Sequence, residues 1–470
     1  MVKVVVVGAG PAGMHAAVAA ARGGARVVLV DSAPQAGGQY YRRPPGGTAA
    51  LPHVFEELRR QPRIEHLPDA TVWAMEAVPG GLHRLHVQQG PADAPGRRSM
   101  TIEAAALVLA TGAYDRVVPF PGWDLPGVYT AGAAQALAKS QRVAVGRRVL
   151  VCGTGPFLLP VARSLLAVGA EVAGVLEANA PATCLRGWLR RPAHPWHHRA
   201  KAAELAGYAA LLARHRVPYR PRTAVIAAHG TDHVEAVTTA RLDPDWNPVP
   251  GSERRFAVDA VCVGHGFTPQ LEPVIAAGCR TRGGFAEVDD RQATSVPGVF
   301  AAGELTGIGG ADLSAAEGTV AGCAAARHLG HAPDPAREAA ARRRVRHWRD
   351  FAAALAAAHP VRPGWQTWAA DDTLVCRCEE VTVRELRDAV EHHRARGARS
   401  LKLLCRVGLG PCQGRICGRN ATELADAFLR ERGAPPLLDP DAAAKRPLAA
   451  PVRLADLATP PTAYEAQEGT

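Results

Sequence analysis

No cysteine stands before Cys152, and no Cys-x2-Cys or Cys-x4-Cys pair appears in the first 370 residues. Thiol–disulfide chemistry, which needs two paired thiols beside the redox centre, is thereby excluded from the N-terminal part. The scattered cysteines Cys152, Cys184, Cys262, Cys279, Cys323 and Cys405 lack the spacing of a disulfide scaffold, so a reducing, cytoplasmic compartment is expected, with peripheral contact to the inner membrane face left open. A transmembrane helix is not expected either. The apolar run from Val4 to Ala21 is broken by Gly8, Gly10 and Pro11 and reads as strand, turn and helix. No acid–base pair for substrate activation stands out, so catalytic residues are left unassigned. His15 reads as a helix residue, and His194, His197 and His198 as part of a solvated Pro-rich loop without nearby metal-ligand spacing.

At 470 residues the chain exceeds what one core holds, and 47% hydrophobic with 21% charged residues is ordinary for a globular protein, so two or three domains are expected. The formal charge of +11 is densest at Arg342, Arg343, Arg344 and Arg346. This Ala-rich helical stretch reads as a solvated face or a docking surface for an acidic partner, not as a nucleic-acid site.

Lys3 to Val7 is a β-branched run feeding the turn Gly8-x-Gly10-x-x-Gly13, and Arg26 to Asp31 supplies a second strand ending in an acid. Gly8 permits the tight turn, Gly10 the approach of a pyrophosphate, and Gly13 close packing of helix on sheet. Pro11 and Ala12 open the helix, whose free N–H groups and positive dipole end suit phosphate. Asp31, 18 residues beyond Gly13, stands where a carboxylate accepts from ribose hydroxyls.

A second unit begins 145 residues later, with Arg147 to Cys152 leading into Gly153, Gly155 and Pro156 and a following strand from Glu171 to Glu177. Leu158 replaces the third glycine and is expected to hold the helix away from the turn. Glu177 would favour a free ribose hydroxyl over a 2′-phosphate. This second site reads either as a working pocket for NAD or another adenine nucleotide, or as a degenerate one kept for packing.

Three further segments extend the pattern: a strand from Ala105 ending at Thr111-Gly112, a similar one from Val258 to Gly266, and Gly298 to Gly303-Glu304 followed by a helix-like stretch from Leu313. This arrangement resembles the two-dinucleotide-domain flavoproteins of the glutathione reductase fold. The resemblance covers nearly all of residues 1–330 and implies FAD at the first site, with Gly303 and Glu304 near the ribityl and pyrophosphate region. Glu304 departs from the Asp usual in that family.

Residues 331–372 shift to an Ala/Arg-rich helical connector ending in Pro360, Pro363 and Gly364, with Trp365 and Trp368. Then come Cys376-x-Cys378, a capping box at Thr382 and Glu385, and Cys412-x4-Cys417 after a Gly-rich turn. Four thiolates in two close pairs suit an iron–sulfur cluster or a structural zinc, and the spacing does not choose between them. Cys412 is expected at a helix start, with backbone N–H groups from two helix starts facing the thiolates. Cys405 reads as a packed thiol, with competition as a ligand the lesser alternative.

Residues 374–418 resemble the [2Fe-2S] domain of bacterioferritin-associated ferredoxin. The Gly408–Cys417 variant resembles the form fused to the FAD subunit of opine oxidases and hydrogen cyanide synthase. The resemblance implies an α/β fold of two Rossmann-like dinucleotide-binding domains, glutathione-reductase-like, plus a small helical C-terminal [2Fe-2S] domain held by Cys376, Cys378, Cys412 and Cys417. The expected divisions are 1–122 with 268–330 (FAD), 123–267 (second dinucleotide fold), 331–372 (connector), 373–432 (cluster) and 433–470 (a Pro/Ala-rich tail, draped over the surface or partly disordered). The implied role is the electron-transfer subunit of a heteromeric, dye-linked amino or imino acid (opine-type) dehydrogenase. Its partner would be an amino-acid-oxidase-like flavoprotein, docking at the Arg-rich connector and around Trp365; the electron acceptor is left open. The rivals are an NAD(P)H-dependent flavin/iron–sulfur reductase and a zinc-stabilised binding module on a nucleotide-binding scaffold.

Overall fold

The structure, a computed structural model, describes residues 3–44, 47, 51–92, 94–189, 199–438, 445–446 and 448–464. The loop histidines His194, His197 and His198 lie outside the described residues. The run Val4–Val7 is buried on both faces, as a central parallel strand demands, between parallel neighbours Ala106–Leu109 and Val27–Val30. Val299–Ala301 and Ile64–Leu67 complete this five-stranded sheet. The helices Pro11–Arg22 and Gly310–His328 pack together against it.

A second five-stranded parallel sheet repeats the plan, with Arg148–Gly153 between Glu171–Glu177 and Ala260–Gly264. The chain crosses between the halves through the antiparallel pair Ala113–Asp115 and Phe267–Pro269. Val117, Val118 and Phe120 already belong to the core of the second half, so the outward crossing lies a few residues before 123.

The connector is the helix Pro335–Ala358, started by the Asp334 side chain accepting from Ala336 N. Of its basic run, Arg342 pairs with Glu338 and Asp290, while Arg343, Arg344 and Arg346 are exposed; further along, Arg349 pairs with Glu317. The following tryptophans do not form a docking surface. Trp365 is 1% exposed, and Trp368 stacks on Trp246 and donates its indole N–H to Trp246 O at 2.9 Å. An indole buries well once its N–H has an acceptor, as Trp246 O provides for Trp368.

The cysteine segment shares one hydrophobic core with the second dinucleotide half. Trp123 donates to Leu374 O at 2.6 Å, Asn420 to Val117 O at 2.6 Å, and Arg116 pairs with Glu423 at 2.5 Å. The described part of the tail returns to the first half, where Thr462–Ala463 pairs in parallel with Arg98–Ala104. No helix among the described residues is long and apolar enough to cross a membrane.

Candidate functional site

At the first turn Gly8 adopts φ +100°, Gly10 is the N-cap, and Pro11 opens the helix that carries Ala12 and Gly13. A Cβ on Gly13 would lie 1.7 Å from Gly8 O, so only glycine lets the helix sit this close to the turn. Asp31 braces the same turn: its carboxylate accepts from Ala9 N at 3.1 Å and Ala33 N at 3.2 Å. Burial pushes this carboxyl up to about 6, against the pull of the backbone N–H groups of Ala33, Ala9 and Ser32. Two accepted bonds leave lone pairs for ribose hydroxyls.

Sequence reasoning missed the loop that closes over this turn. Gly37 N donates to Ala9 O at 2.7 Å, a Cβ on Gly38 would meet Gly10 Cα at 2.9 Å, and Lys139 holds Tyr40 O at 2.7 Å. The adjacent pair Gly37-Gly38 was the available signal. On the other side, Thr111 and Gly112 are pinned by Gln270, which receives the Thr111 hydroxyl on its carbonyl and donates its N–H to Gly112 O.

Gly303 and Glu304 are engaged differently from expectation. Gly303 N donates to Glu317 at 3.0 Å, and Glu317 also accepts from the Thr306 hydroxyl at 2.7 Å and from Arg349 at 2.9 Å. Glu304 turns forward to accept from Gly310 N at 2.8 Å, where burial pushes its carboxyl up to about 7. With one methylene more than Asp, it reaches the start of the next helix, whose first N–H groups lack intrahelical acceptors.

In the second turn Gly153 has positive φ as Gly8 does, Gly155 has φ +96° where Gly10 has −72°, and the helix begins only at Leu158. Glu177 is not free for a ribose. It accepts from the Thr154 hydroxyl at 2.7 Å, Gly155 N at 2.8 Å and Asn179 N at 2.9 Å, and it pairs with His359 Nδ1 at 3.3 Å. The end of the connector helix lies across this turn. Asn179 donates to Pro360 O at 3.0 Å, and Gly187 has no room for a side chain, since Ala358 N would be 2.3 Å from its Cβ. Burial lowers the His359 imidazole, but hydrogen bonds to Cys184 and Glu177 and the carboxylate charge override it and raise the group to about 9.

A cavity of about 860 Å³ runs between all the parts. Its wall includes Thr306, Gly307 and Ile308 from the first half, Thr154, Gly155 and Phe157 from the second, His359 from the connector, and Gly414 and Arg415 from the cysteine segment. Of the site residues named from sequence, Gly155 alone lines it. Arg415 ties the walls together: it donates to the Tyr114 hydroxyl at 2.9 Å, Cys412 O at 3.2 Å and Ala449 O at 2.5 Å, and faces Glu272 at 3.3 Å. Arg446 reaches the same Glu272 oxygen at 3.0 Å.

The four cysteines Cys376, Cys378, Cys412 and Cys417 come together. Cys417 hydrogen-bonds both Cys376 and Cys412, and Cys378 meets Cys412. The sulfurs contact one another, and among the described residues no three His, Cys, Asp or Glu side chains are disposed around a single ion-sized centre. The Cys417 hydrogen bond lowers Cys376 to about 6 against burial, assisted by backbone N–H groups of Gly408, Glu379 and Cys378. The same donor, with Ile416 and Gly414 N–H groups and Cys378, lowers Cys412 to about 4. Gly410 allows the closure, since its Cβ would lie 2.2 Å from Cys378 Cβ. Burial, with the Cys412 thiol, pushes Cys378 up, and hydrogen bonds to Cys376 and Cys412, with burial, push Cys417 up; it is the meeting of four sulfurs beside backbone N–H donors that fits an anionic thiolate-ligated cluster.

Two details differ from expectation. Residues 411–417 are successive turns and the helix begins only at Gly418, so Cys412 is one turn early and Cys417 is the N-cap. The N–H groups around the sulfurs therefore come from turns, not helix starts: successive positive φ at Gln413 (55°) and Gly414 (74°) is incompatible with a right-handed helix there. Cys405 spends its thiol on Leu401 O at 3.2 Å within its own helix. The capping box of Thr382 and Glu385 is present with both bonds made.

Residues 2–328 match the pyridine nucleotide-disulphide oxidoreductase family, and residues 374–427 the BFD-like [2Fe-2S] binding domain. The chain is 35% identical to the opine oxidase A-subunit of Agrobacterium tumefaciens, covering 96% of this chain and 90% of that one. It is 31% identical to the HcnB subunit of hydrogen cyanide synthase from Pseudomonas protegens, covering 88% and 89%. A 30% match to the sarcosine oxidase alpha-subunit of Rhizobium meliloti covers 64% of this chain and 28% of that protein. Among solved structures, L-proline dehydrogenase from P. horikoshii shares the fold, with a TM-score of 0.66 at 19% identity over 97% of this chain and 79% of that one.

Proposed function

The chain belongs to the pyridine nucleotide-disulphide oxidoreductase family, in the group that holds the opine oxidase A-subunits, and from that premise we propose that it relays electrons within an opine-type dehydrogenase. It is a flavin and [2Fe-2S] subunit of a heteromeric amino-acid-oxidase-like enzyme. The substrate class we assign is an amino or imino acid with a secondary amine, oxidised at its C–N bond on an amino-acid-oxidase-like partner. FAD supplies the chemistry of accepting an electron pair and passing electrons on singly. In this reading Gly8, Gly10, Pro11, Ala12, Gly13 and Asp31 hold its adenosine and pyrophosphate, and Thr111 and Gly112 lie along its path. Cys376, Cys378, Cys412 and Cys417 hold the cluster.

One observation carries the reading: the cysteine loop, through Gly414 and Arg415, and the turn Thr306–Ile308 of the flavin-binding half border the same cavity. The NAD(P)H reductase is disfavoured by the second turn, where Glu177 is already engaged by His359 and Asn179 by Pro360 O. The test is co-purification with the product of a neighbouring flavoprotein gene, followed by anaerobic addition of an opine and, separately, NADH. We expect the complex to bleach with the opine and stay oxidised with NADH. Rapid bleaching by NADH would establish the reductase instead, and zinc without iron or labile sulfide would establish the binding module.

A further inference from the structure

We propose that the exposed face around Cys378 is where a small, acidic one-electron carrier protein docks. The inference rests on the reading of the four cysteines as a cluster site. Of the chain's ten cysteines only Cys378 is exposed, so an electron crosses the shortest protein layer at that corner.

An apolar rim borders this corner. Leu403 is 74% exposed, Leu404 45% and Leu409 43%, although Leu401 of the same helix is buried. Leu409 adjoins Gly410, which packs on Cys378, and Arg406 between the leucines reaches Glu379 beside Cys378 at 2.8 Å. Exposed leucines this close together on a charged surface mark an interaction site more often than chance.

Charge chooses the occupant. From His392 to Thr422 the chain has no Asp or Glu, while Arg394, Arg396, Arg399, Lys402, Arg406, Arg415 and Arg419 are basic. Arg406, Arg415 and Arg419 have carboxylate partners. The exposed Arg394, Arg396 and Arg399 pair with no carboxylate among the described residues, which leaves a positive field beside the leucines. A compact apolar centre flanked by a positive field, with Glu379 held by Arg406 and Glu380 the only exposed carboxylate beside Cys378 in that turn, suits transient redox encounters, which bury less than about 1,200 Å² and rely on steering. A permanent partner requires a larger apolar area. In the encounter one electron leaves the reduced cluster, the carrier's centre is reduced by one, and no atom moves.

The experiment titrates the full-length chain with an acidic plant-type ferredoxin and, in parallel, with basic cytochrome c, following heat or fluorescence at low and high salt. We expect ferredoxin alone to bind, and its affinity to fall at least about tenfold at high salt and in Arg399→Glu and Leu403→Asp, as screening and an interrupted apolar centre require. Flavin content, cluster content and flavin reduction by a small dye should not change in either variant. Absence of ferredoxin binding, or binding that survives both substitutions, overturns the proposal. So does hydrogen-exchange protection of residues 398–410 in the purified heteromer, which would assign the face to the permanent partner. Absence of iron and labile sulfide from the wild-type chain would instead sink the cluster reading beneath it.

Discussion

Arg415 and Tyr114 stand 301 residues apart, yet the guanidinium Nε of the first donates to the phenolic oxygen of the second at 2.9 Å. The same guanidinium holds the carbonyl of Cys412, while Tyr114 follows Thr111 and Gly112 by two residues. One side chain thus joins the cysteine loop to the strand that follows Thr111 and Gly112, proposed to lie along the flavin. A reduced cluster is more negative than an oxidised one, so a nearby cation favours reduction. Arg415→Gln should shift the electron partition between flavin and cluster about tenfold toward the flavin, equivalent to about 59 mV for one electron. Arg415→Lys, which keeps charge but loses the fork, should shift it less. A redox titration followed by electron paramagnetic resonance measures both, and an unaltered potential with full iron would reject the coupling.

Gly13→Val should remove the flavin. Its Cβ would fall 1.7 Å from Gly8 O, so the helix must retreat from the turn proposed to receive the pyrophosphate. Flavin released by acid and quantified per chain is expected near background, whereas a full complement would mean that the flavin binds elsewhere.

Cys405→Ala should leave iron and sulfide unchanged, because that thiol is committed to Leu401 O. Cys412→Ser should abolish the cluster absorbance. If Cys405→Ala loses iron to the same degree, the ligand set has been misassigned.

The Glu177–His359 pair should make stability fall in alkali. His359 is raised above its usual 6.5 to about 9, so its contribution is complete below pH 6.5 and disappears as pH climbs through 9. Glu177 is lowered despite burial, chiefly through the His359 hydrogen bond, so its share is present above the usual carboxylate range and is lost in acid. The alkaline loss is on the order of 2 kcal/mol. Melting temperatures at pH 7 and pH 10 should differ less in His359→Gln than in the wild type; equal slopes would exclude the pair as the cause.

Much of the fold was legible because its signals are local. The β-branched runs into Gly8 and Gly153 each formed central strands, and the strand expected at Glu171–Glu177 has those bounds. Thr382 and Glu385 lie one helical turn apart, so their reciprocal bonds follow from spacing. The site was less legible. Glu177 occupies the acidic position that motif spacing predicts, but its imidazole partner is 182 residues away, and spacing cannot reveal that the position is already filled. Trp365 illustrates the same limit: an aromatic in a Pro-rich segment suits a docking face or a core equally until its walls are known.

By itself the sequence determined where the chain turns, which glycines allow a helix to approach, and that four thiols recur in two close pairs, since backbone sterics and covalent spacing act over a few residues. Only the tertiary structure decided what those elements face. It brought the sulfurs into contact, closed the second turn with His359, sent Glu304 to a helix start and laid Arg415 between the cysteine loop and the strand Ala113–Asp115. These are choices of packing and of polar groups finding partners on burial, which depend on the whole chain at once.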